Sequence, residues 1–198
     1  MRRFQLSGVS VALSATGFAS NVTGATWALS ATTVSDGLAH LVTIHGDAAT
    51  NHSGKTALLT GTDANGNPQT ETIAALPNGV ATVTSLKYFL SLASVVPSAT
   101  IGADTMDIGY AADAVTPYYR SPNSNLSAFN IGFGCTVVSG TPTYSVQHTY
   151  DETTWINHSV VAAKTVSADG GYTSPIAALR LLFTAAGGVT LTMMQLGV

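Results

Sequence analysis

Cysteine, charge and long apolar runs are all scarce in this chain of 198 residues. The single cysteine, Cys135, excludes an intrachain disulfide framework and a zinc site built on cysteines. No stretch reaches the roughly 18 consecutive apolar residues that a membrane helix requires. Because 45% of the residues are hydrophobic, we expect a core that folds without cross-links and a chain with no membrane partner.

Charged residues make up only 9% of the chain, against about 25% in typical soluble proteins. The seven basic residues form no cluster, which excludes nucleic-acid binding through phosphate contacts. A neutral surface of Ser, Thr, Asn and Gly is typical of a protein that packs against copies of itself or against partners. Composition therefore predicts a homo-oligomer or a subunit of a larger assembly.

Catalytic signatures are missing as well. The chain contains no GxSxG nucleophile elbow, no GxGxxG fingerprint and no Walker loop. Neighbouring carboxylates occur as Asp151–Glu152 and as Asp104 with Asp107. A glycosidase stays open as an alternative because its two carboxylates can be far apart in sequence. We nevertheless expect no enzyme, no catalytic residue, no cofactor and no metal site.

Alternating segments rich in Thr, Ser, Val, Ala and Gly, separated by turn signals, are typical of an all-β protein. The fold class expected is all-β, with two β-sandwich or jelly-roll-like domains. Gly187-Gly188 is expected to turn a closing hairpin between the last two strands. The predicted strands span residues 39–46, 55–62, 70–76, 80–85, 89–96, 105–111, 129–138, 143–150, 176–185 and 189–197.

The segment "ADAVTPYYRSPNSNLSA" (112–128) is rich in Pro, Asn and Ser and has no periodicity, which predicts a linker. We divide the chain there into an N-terminal β domain (1–112), a linker (113–125) and a C-terminal β-sandwich domain (126–198). Within the linker, Tyr118, Tyr119 and Arg120 are of the types enriched at interface hot spots. They are predicted to form an inter-subunit or interdomain contact.

The stretch "GTDANGNPQTETI" (61–73) has oxygen ligands at the alternating positions that a calcium loop uses. The glycine and the glutamate, however, do not fall at positions 6 and 12 of an EF-hand loop. A two-residue type I′ turn at Asn65-Gly66 fits better, and it pairs Leu58 with Ile73. A hairpin is therefore predicted, with a weak cation site at its tip as the alternative.

The histidines give only a weak indication of a metal site. His40 and His45 are five residues apart, so they point to opposite faces of a strand and cannot chelate together. His148 and His158 flank "TYDETTWIN" and can face each other, with Asp151 or Glu152 as a third ligand. The favoured interpretation is a solvated pair beside a turn. Trp27 and Trp155 are either sugar-stacking or core residues, and Trp155 is expected to be half-buried under its turn.

Two long segments carry a resemblance to a known class of protein. The first is "LLTGTDANGNPQTETIAALPNGVATVTSLKYFLSLASVVPSATIGADTMDIGY", and the second is "TYSVQHTYDETTWINHS" followed by "SPIAALRLLFTAAGGVTLTMMQLG". Both resemble sequence motifs that recur in small virion proteins of tailed bacteriophages. The shared features are a "TGTDANG…TET" hairpin, a "TVTS-KYF" strand and a "G-V-T-L-T-…-Q" closing strand. The N-terminal third has no such match.

The resemblance implies a β-rich virion component that binds the major capsid protein or other virion proteins. A capsid decoration (cement) protein is the function expected from it, located in the virion and acting as an oligomer. A tail or adaptor part that binds a receptor or a carbohydrate is the alternative. The matched motifs are structural, so they transfer no catalytic residue.

Overall fold

The computed structural model describes residues 2–121 and 129–195, where regular structure consists of β-strands. The all-β prediction is confirmed. Over these ranges no helix is long and apolar enough to cross a membrane. The strands are β1 (Arg2–Ser10), β2 (Ser14–Val22), β3 (Ala39–Gly46), β4 (Ala57–Thr62), β5 (Pro68–Ile73), β6 (Thr82–Phe89), β7 (Ser91–Pro97), β8 (Met106–Val115), β9 (Tyr119–Arg120), β10 (Ile131–Thr149), β11 (Ile156–Asn157), β12 (Ala168–Tyr172) and β13 (Ala178–Gln195).

The chain divides into two compact units, residues 12–114 and residues 1–11 together with 115–198. The second break lies close to the boundary expected from sequence. The first eleven residues, however, belong with the C-terminal part of the chain, because β1 pairs along β13.

The expected linker, residues 113–125, is partly strand. β8 continues through Ala114 and Val115, which are both apolar and fully buried although they point to opposite faces of the strand. Tyr119–Arg120 form β9. Residues 122–125 of the expected linker lie outside the described residues.

In the unit of residues 12–114, β2, β8, β3 and β6 follow one another in one sheet, and β5, β4 and β7 form a second, smaller sheet. Large apolar side chains from both sheets are buried, which places the core of this unit between them. They include Phe18, Ile44, Leu59, Phe89, Leu92, Met106 and Ile108.

Two side chains of β5 form hydrogen bonds with the backbone of β6. The Glu71 carboxylate accepts hydrogen bonds from the backbone N–H groups of Leu86 (2.7 Å) and Lys87 (2.8 Å). Gln69 Nε2 donates to the Tyr88 carbonyl at 2.8 Å. These bonds satisfy strand-edge groups that would otherwise be open to other chains.

Residues 61–73 form the predicted hairpin with a different turn. The Asp63 carboxylate accepts the N–H groups of Asn65 (2.8 Å) and Asn67 (2.9 Å), and the Gly66 N–H donates to the Asp63 carbonyl. Gly66 has a positive φ of 83°, whereas a type I′ turn requires positive φ at Asn65 too. This is a type I turn with a glycine bulge. Asp63 is therefore the hydrogen-bond acceptor that holds this loop together.

The longer turn moves the strand register by one residue. Leu58 pairs with Thr72, and Ile73 pairs with Ala57, so the predicted Leu58–Ile73 pair is wrong. A one-residue slip reverses the faces of a strand. Ile73 therefore points into the core, and Leu58 points outward with 43% of its surface exposed.

The second unit is built on two long antiparallel strands, β10 and β13. β12 and β11 pair with the outer edge of β10, and β1 and β9 pair with β13. Each long strand joins two segments that sequence reasoning kept separate. The closing hairpin expected at Gly187-Gly188 does not form. Gly187 instead lies opposite Gly140 at a β-bulge, where a Cβ would collide with Pro142 at 2.7 Å.

A buried histidine–carboxylate pair lies in the unit of residues 12–114. His40 is fully buried, with Nε2 at 2.8 Å from Asp36 Oδ2 and Nδ1 at 2.9 Å from the Ala111 carbonyl. Asp36 also accepts the Leu38 N–H. The pair ties the segment before β3 to β8. His45 points to the other face, as expected, and its Nδ1 is 2.8 Å from the hydroxyl of exposed Thr82.

We predict that His40→Leu lowers the free energy of unfolding by about 3 kcal/mol, because it leaves the Asp36 carboxylate buried without the ring nitrogen that hydrogen-bonds to it. Urea denaturation measures this change. His45→Leu is the matched control on the same strand and should change stability by about 0.5 kcal/mol or less. Equal losses in the two variants would contradict the structural role of the pair.

Candidate functional site

The residues predicted to form an interface lie in and directly before one short strand, β9, and their side chains point to opposite faces. β9 pairs with the start of β13, with Arg120 opposite Ala178 and Tyr119 opposite Leu179. Strand alternation places Tyr118 and Arg120 on one face and Tyr119 on the other. Tyr119 packs on the Phe4 ring with 4.1 Å between centroids. The predicted group is therefore divided, and Tyr118 and Arg120 share a surface.

A polar row crosses the sheet beside Tyr118. Gln147 of β10 pairs with Arg180 on one side and with Asn157 on the other. Arg180 Nε donates to Gln147 Oε1 at 2.9 Å, and Gln147 Nε2 donates to Asn157 Oδ1 at 3.0 Å. Continuing the β9–β13 register places Tyr118 next to Arg180. The long-range register thus lines up side chains from four segments of the chain.

Trp155 lies over this row. The Arg180 guanidinium carbon is 4.0 Å from the Trp155 ring centroid, a cation–π arrangement. The Tyr118 and Trp155 ring centroids are 5.6 Å apart. Trp155 is half-buried, as expected, whereas Trp27 is a core residue with 4% exposure.

The Glu152 carboxylate accepts hydrogen bonds from both Tyr118 and Arg120. Arg120 Nε donates to Glu152 Oε1 at 2.7 Å, Arg120 Nη2 also reaches Oε2, and the Tyr118 hydroxyl donates to Oε2 at 3.1 Å. The Arg120 bonds, with the smaller effect of Tyr118, hold the pKa of Glu152 below its usual value. Burial and the same carboxylate raise the pKa of Tyr118.

The backbone of Glu152 is held in the left-handed region, with φ of 61°. This conformation is uncommon for a residue with a side chain, and it persists where the surroundings over-determine it. Asp151 supplies part of that constraint by accepting the N–H groups of Thr153 and Thr154. These bonds also lower the pKa of Asp151.

These side chains form a defined surface, which we call the Trp155 surface. Its groups are fixed by mutual contacts, and they combine aromatic rings, guanidinium groups and planar amides. The two carboxylates of the turn, Asp151 and Glu152, accept hydrogen bonds from neighbouring groups. It consists of Tyr118, Arg120, Gln147, Glu152, Trp155, Asn157 and Arg180.

The two histidines near this turn do not join it. His148 Nδ1 is 3.2 Å from the Tyr172 hydroxyl, and burial lowers the pKa of His148. His158 Nδ1 accepts the N–H groups of Val160 and Val161. Both histidines are buried, so the interpretation as a solvated pair is wrong. Among residues 2–121 and 129–195 no group of three or more His, Cys, Asp or Glu could hold a metal ion.

The other acidic pair and the cysteine are also engaged in the structure. Asp104 accepts from His52 Nε2 at 2.9 Å, and Asp107 accepts the Asn21 N–H at 2.9 Å. A hydrogen bond from Thr50 and the bond from His52 lower the pKa of Asp104. Cys135 is buried, as expected, and its burial raises the pKa of the thiol to about 12.

We predict that acid opens the Trp155 surface. Because the folded pKa of Glu152 is depressed, its stabilising contacts are complete above the ordinary glutamate value of 4.5 and are lost as pH falls through the lower folded value. Tryptophan fluorescence during an acid titration measures the change. The transition should disappear in Glu152→Gln and in Trp155→Phe. A wild-type titration that matches that of Glu152→Gln would contradict the assignment.

No protein-family model, curated protein or solved structure matches this chain. The function therefore has to be inferred from the chemistry of the Trp155 surface and from the composition of the chain.

Proposed function

We propose that this chain is a structural protein of a bacteriophage particle, and that it binds other virion proteins through the Trp155 surface. A capsid decoration (cement) protein, which stabilises the seams between capsid subunits, is the form of this role that we favour. The observation that carries the proposal is the fixed cluster of Trp155, Tyr118, Arg120 and Arg180 on one sheet face.

The composition of the cluster supports protein binding. Trp, Tyr and Arg are the residue types most enriched among interface hot spots. Arg120 keeps 66% of its side chain exposed while Glu152 holds it in place. Side chains that are ordered before binding lose less entropy when a partner arrives. The surface therefore has the chemistry and the rigidity of a contact site.

The low charge of the chain fits the same role. A neutral exterior suits a protein that works packed among other subunits at high local concentration, where binding follows mass action. The resemblance of the two long segments to phage virion proteins supports the proposed location in the virion. We include in this proposal a sandwich-like architecture for each unit, supported in residues 12–114 by two sheets that enclose the buried core.

A carbohydrate- or receptor-binding role in a tail or adaptor is the second candidate. It is favoured by two neighbouring rings, Trp155 and Tyr118, beside the planar amides of Gln147 and Asn157. Arg180 already covers one face of Trp155, so a sugar would have to stack on the opposite face. We therefore rank this role below protein binding.

The proposal predicts where the chain lies in a particle and which residue attaches it. In particles purified from the phage that encodes the chain, cryo-electron microscopy should locate it with the Trp155 surface against another virion protein. Trp155→Ala should weaken binding to particles that lack the chain by about 30-fold or more, the loss typical of a hot-spot residue. Arg180→Ala should weaken it in the same direction.

Ile156→Ala is the matched control, because Ile156 is adjacent, 45% exposed and opposite His148 in the register. It should leave particle binding unchanged. Thermal unfolding of each variant separates lost binding from lost folding. Absence of the chain from particles, or a Trp155 surface that faces solvent, would overturn the proposal. Glycan-array binding that Trp155→Ala abolishes would favour the carbohydrate role.

A further inference from the structure

Two buried histidines adjoin the Trp155 surface from the opposite face of its sheet. Gln147 and Asn157 belong to that surface, and His148 and His158 are the next residues in the chain. Because side chains alternate along a strand, the two imidazoles point away from the surface, and both are buried. The His158 N–H donates to the Val146 carbonyl at 2.8 Å. The histidines are therefore joined through the backbone to two residues that form the surface.

The hydrogen bonds of His158 require a neutral ring. Nδ1 accepts the backbone N–H groups of Val160 and Val161, each at 3.2 Å, and Nε2 lies 3.2 Å from the Gly171 carbonyl oxygen. A carbonyl only accepts and a backbone N–H only donates, so Nε2 carries the proton and Nδ1 carries none. A second proton would point at the two N–H groups, and the N–H of fully buried Val161 would lose its acceptor.

Tyr172 lies between the two histidines. Its ring centroid is 5.0 Å from that of each imidazole, and its hydroxyl is 3.2 Å from His148 Nδ1. Phe133 packs against His158 with 5.0 Å between ring centroids, and a Cβ at Gly170 would lie only 2.9 Å from His158 Cε1. The rings are therefore closely packed. We call His148, His158 and Tyr172 the histidine cluster.

The cluster is poorly suited to hold a positive charge. In the part of the chain that the structure describes, neither imidazole forms a salt bridge, whereas the two buried histidines of residues 12–114 each contact an aspartate. The titratable groups that face the rings are Tyr150 and Tyr172, with the Cys135 thiol close to Tyr172. Burial, with a smaller effect of the second imidazole, lowers the pKa of His148. A proton on one ring therefore opposes a proton on the other.

We propose that the histidine cluster makes the Trp155 surface sensitive to mild acid, because protonation of the two rings releases β11 from β10 and separates Asn157 from Gln147. The release itself is a property of the isolated chain. Its consequence, weaker attachment to a particle, rests on the proposed function.

The direction of the effect follows from His148. Because its folded pKa is depressed, the stability that its neutral ring supplies is complete above the ordinary histidine value of 6.5 and diminishes as the pH falls from there towards the lower folded value. This step begins at a higher pH than the Glu152 transition, which lies below 4.5. The two transitions are therefore separable, and the histidine step should persist in Glu152→Gln.

Hydrogen exchange of the Val161 amide, followed by NMR on the full chain, tests the cluster. Between about pH 7.5 and about pH 5 its protection factor should fall at least about 10-fold, because each pH unit below a pKa reduces the neutral form tenfold. The amide of Val189 is the reference in the same unit. It lies in β13 between β1 and β10, and it should keep its protection.

Non-titrating variants separate this role from a merely structural one. In His158→Asn the side-chain oxygen can accept the N–H two residues further on, as asparagine does in turns, so Val161 protection should no longer depend on pH. His148→Gln removes one positive charge and should shift the loss to lower pH. His45→Asn is the control, because His45 contacts an exposed threonine of the other unit. It should leave the wild-type profile unchanged.

Particle binding at the same two pH values tests the consequence. It should weaken about 10-fold or more in the wild-type chain at about pH 5, and His158→Asn should show a smaller change. Val161 protection that is constant with pH, or that falls equally in His158→Asn, would overturn the inference and leave binding at neutral pH untouched. If Val161 responds as expected but the chain binds no particle, the inference about the cluster stands and the proposed function fails.

Discussion

The backbone groups at the edges of the sheets are the constraint on which this structure depends. A strand edge exposes N–H and C=O groups that must find partners or remain open to other chains. In residues 12–114 the Glu71 carboxylate takes two N–H groups of β6, and Gln69 donates to a third residue of that strand. These hydrogen bonds connect the two sheets where β5 lies beside β6, at the edge of the core between them.

The turn at Asp63 determines which face of the small sheet each side chain occupies. By accepting two amides of its loop, Asp63 lengthens the turn and fixes a register in which Glu71 faces the seam and Leu58 faces outward. With the two-residue turn predicted from Asn65-Gly66, Leu58 would have joined the core. The sequence does contain the signal, since aspartate at the first position and glycine at the fourth favour a type I turn.

Local patterns were enough to predict the strands from β3 to β8, the buried cysteine and the half-buried Trp155, but they missed β1, β2 and β12. They could not predict which segments join, because β10 and β13 run through bulges that resemble turns in the sequence. The Trp155 surface was only partly foreseen for the same reason. Tyr118 and Arg120 stand out by residue type, whereas Gln147 and Arg180 become neighbours through pairing between distant segments. No local signal predicts the backbone conformation of Glu152.

The low charge of the chain has a structural meaning that composition alone does not give. Seven of the ten acidic residues accept hydrogen bonds within their own unit, namely Asp36, Asp63, Glu71, Asp104, Asp107, Asp151 and Glu152. Most of them bind backbone N–H groups at turns and edges. Carboxylates used in this way hold the fold together. The aromatic rings and guanidinium groups of the Trp155 surface are then the prominent non-neutral feature of the unit that contains them.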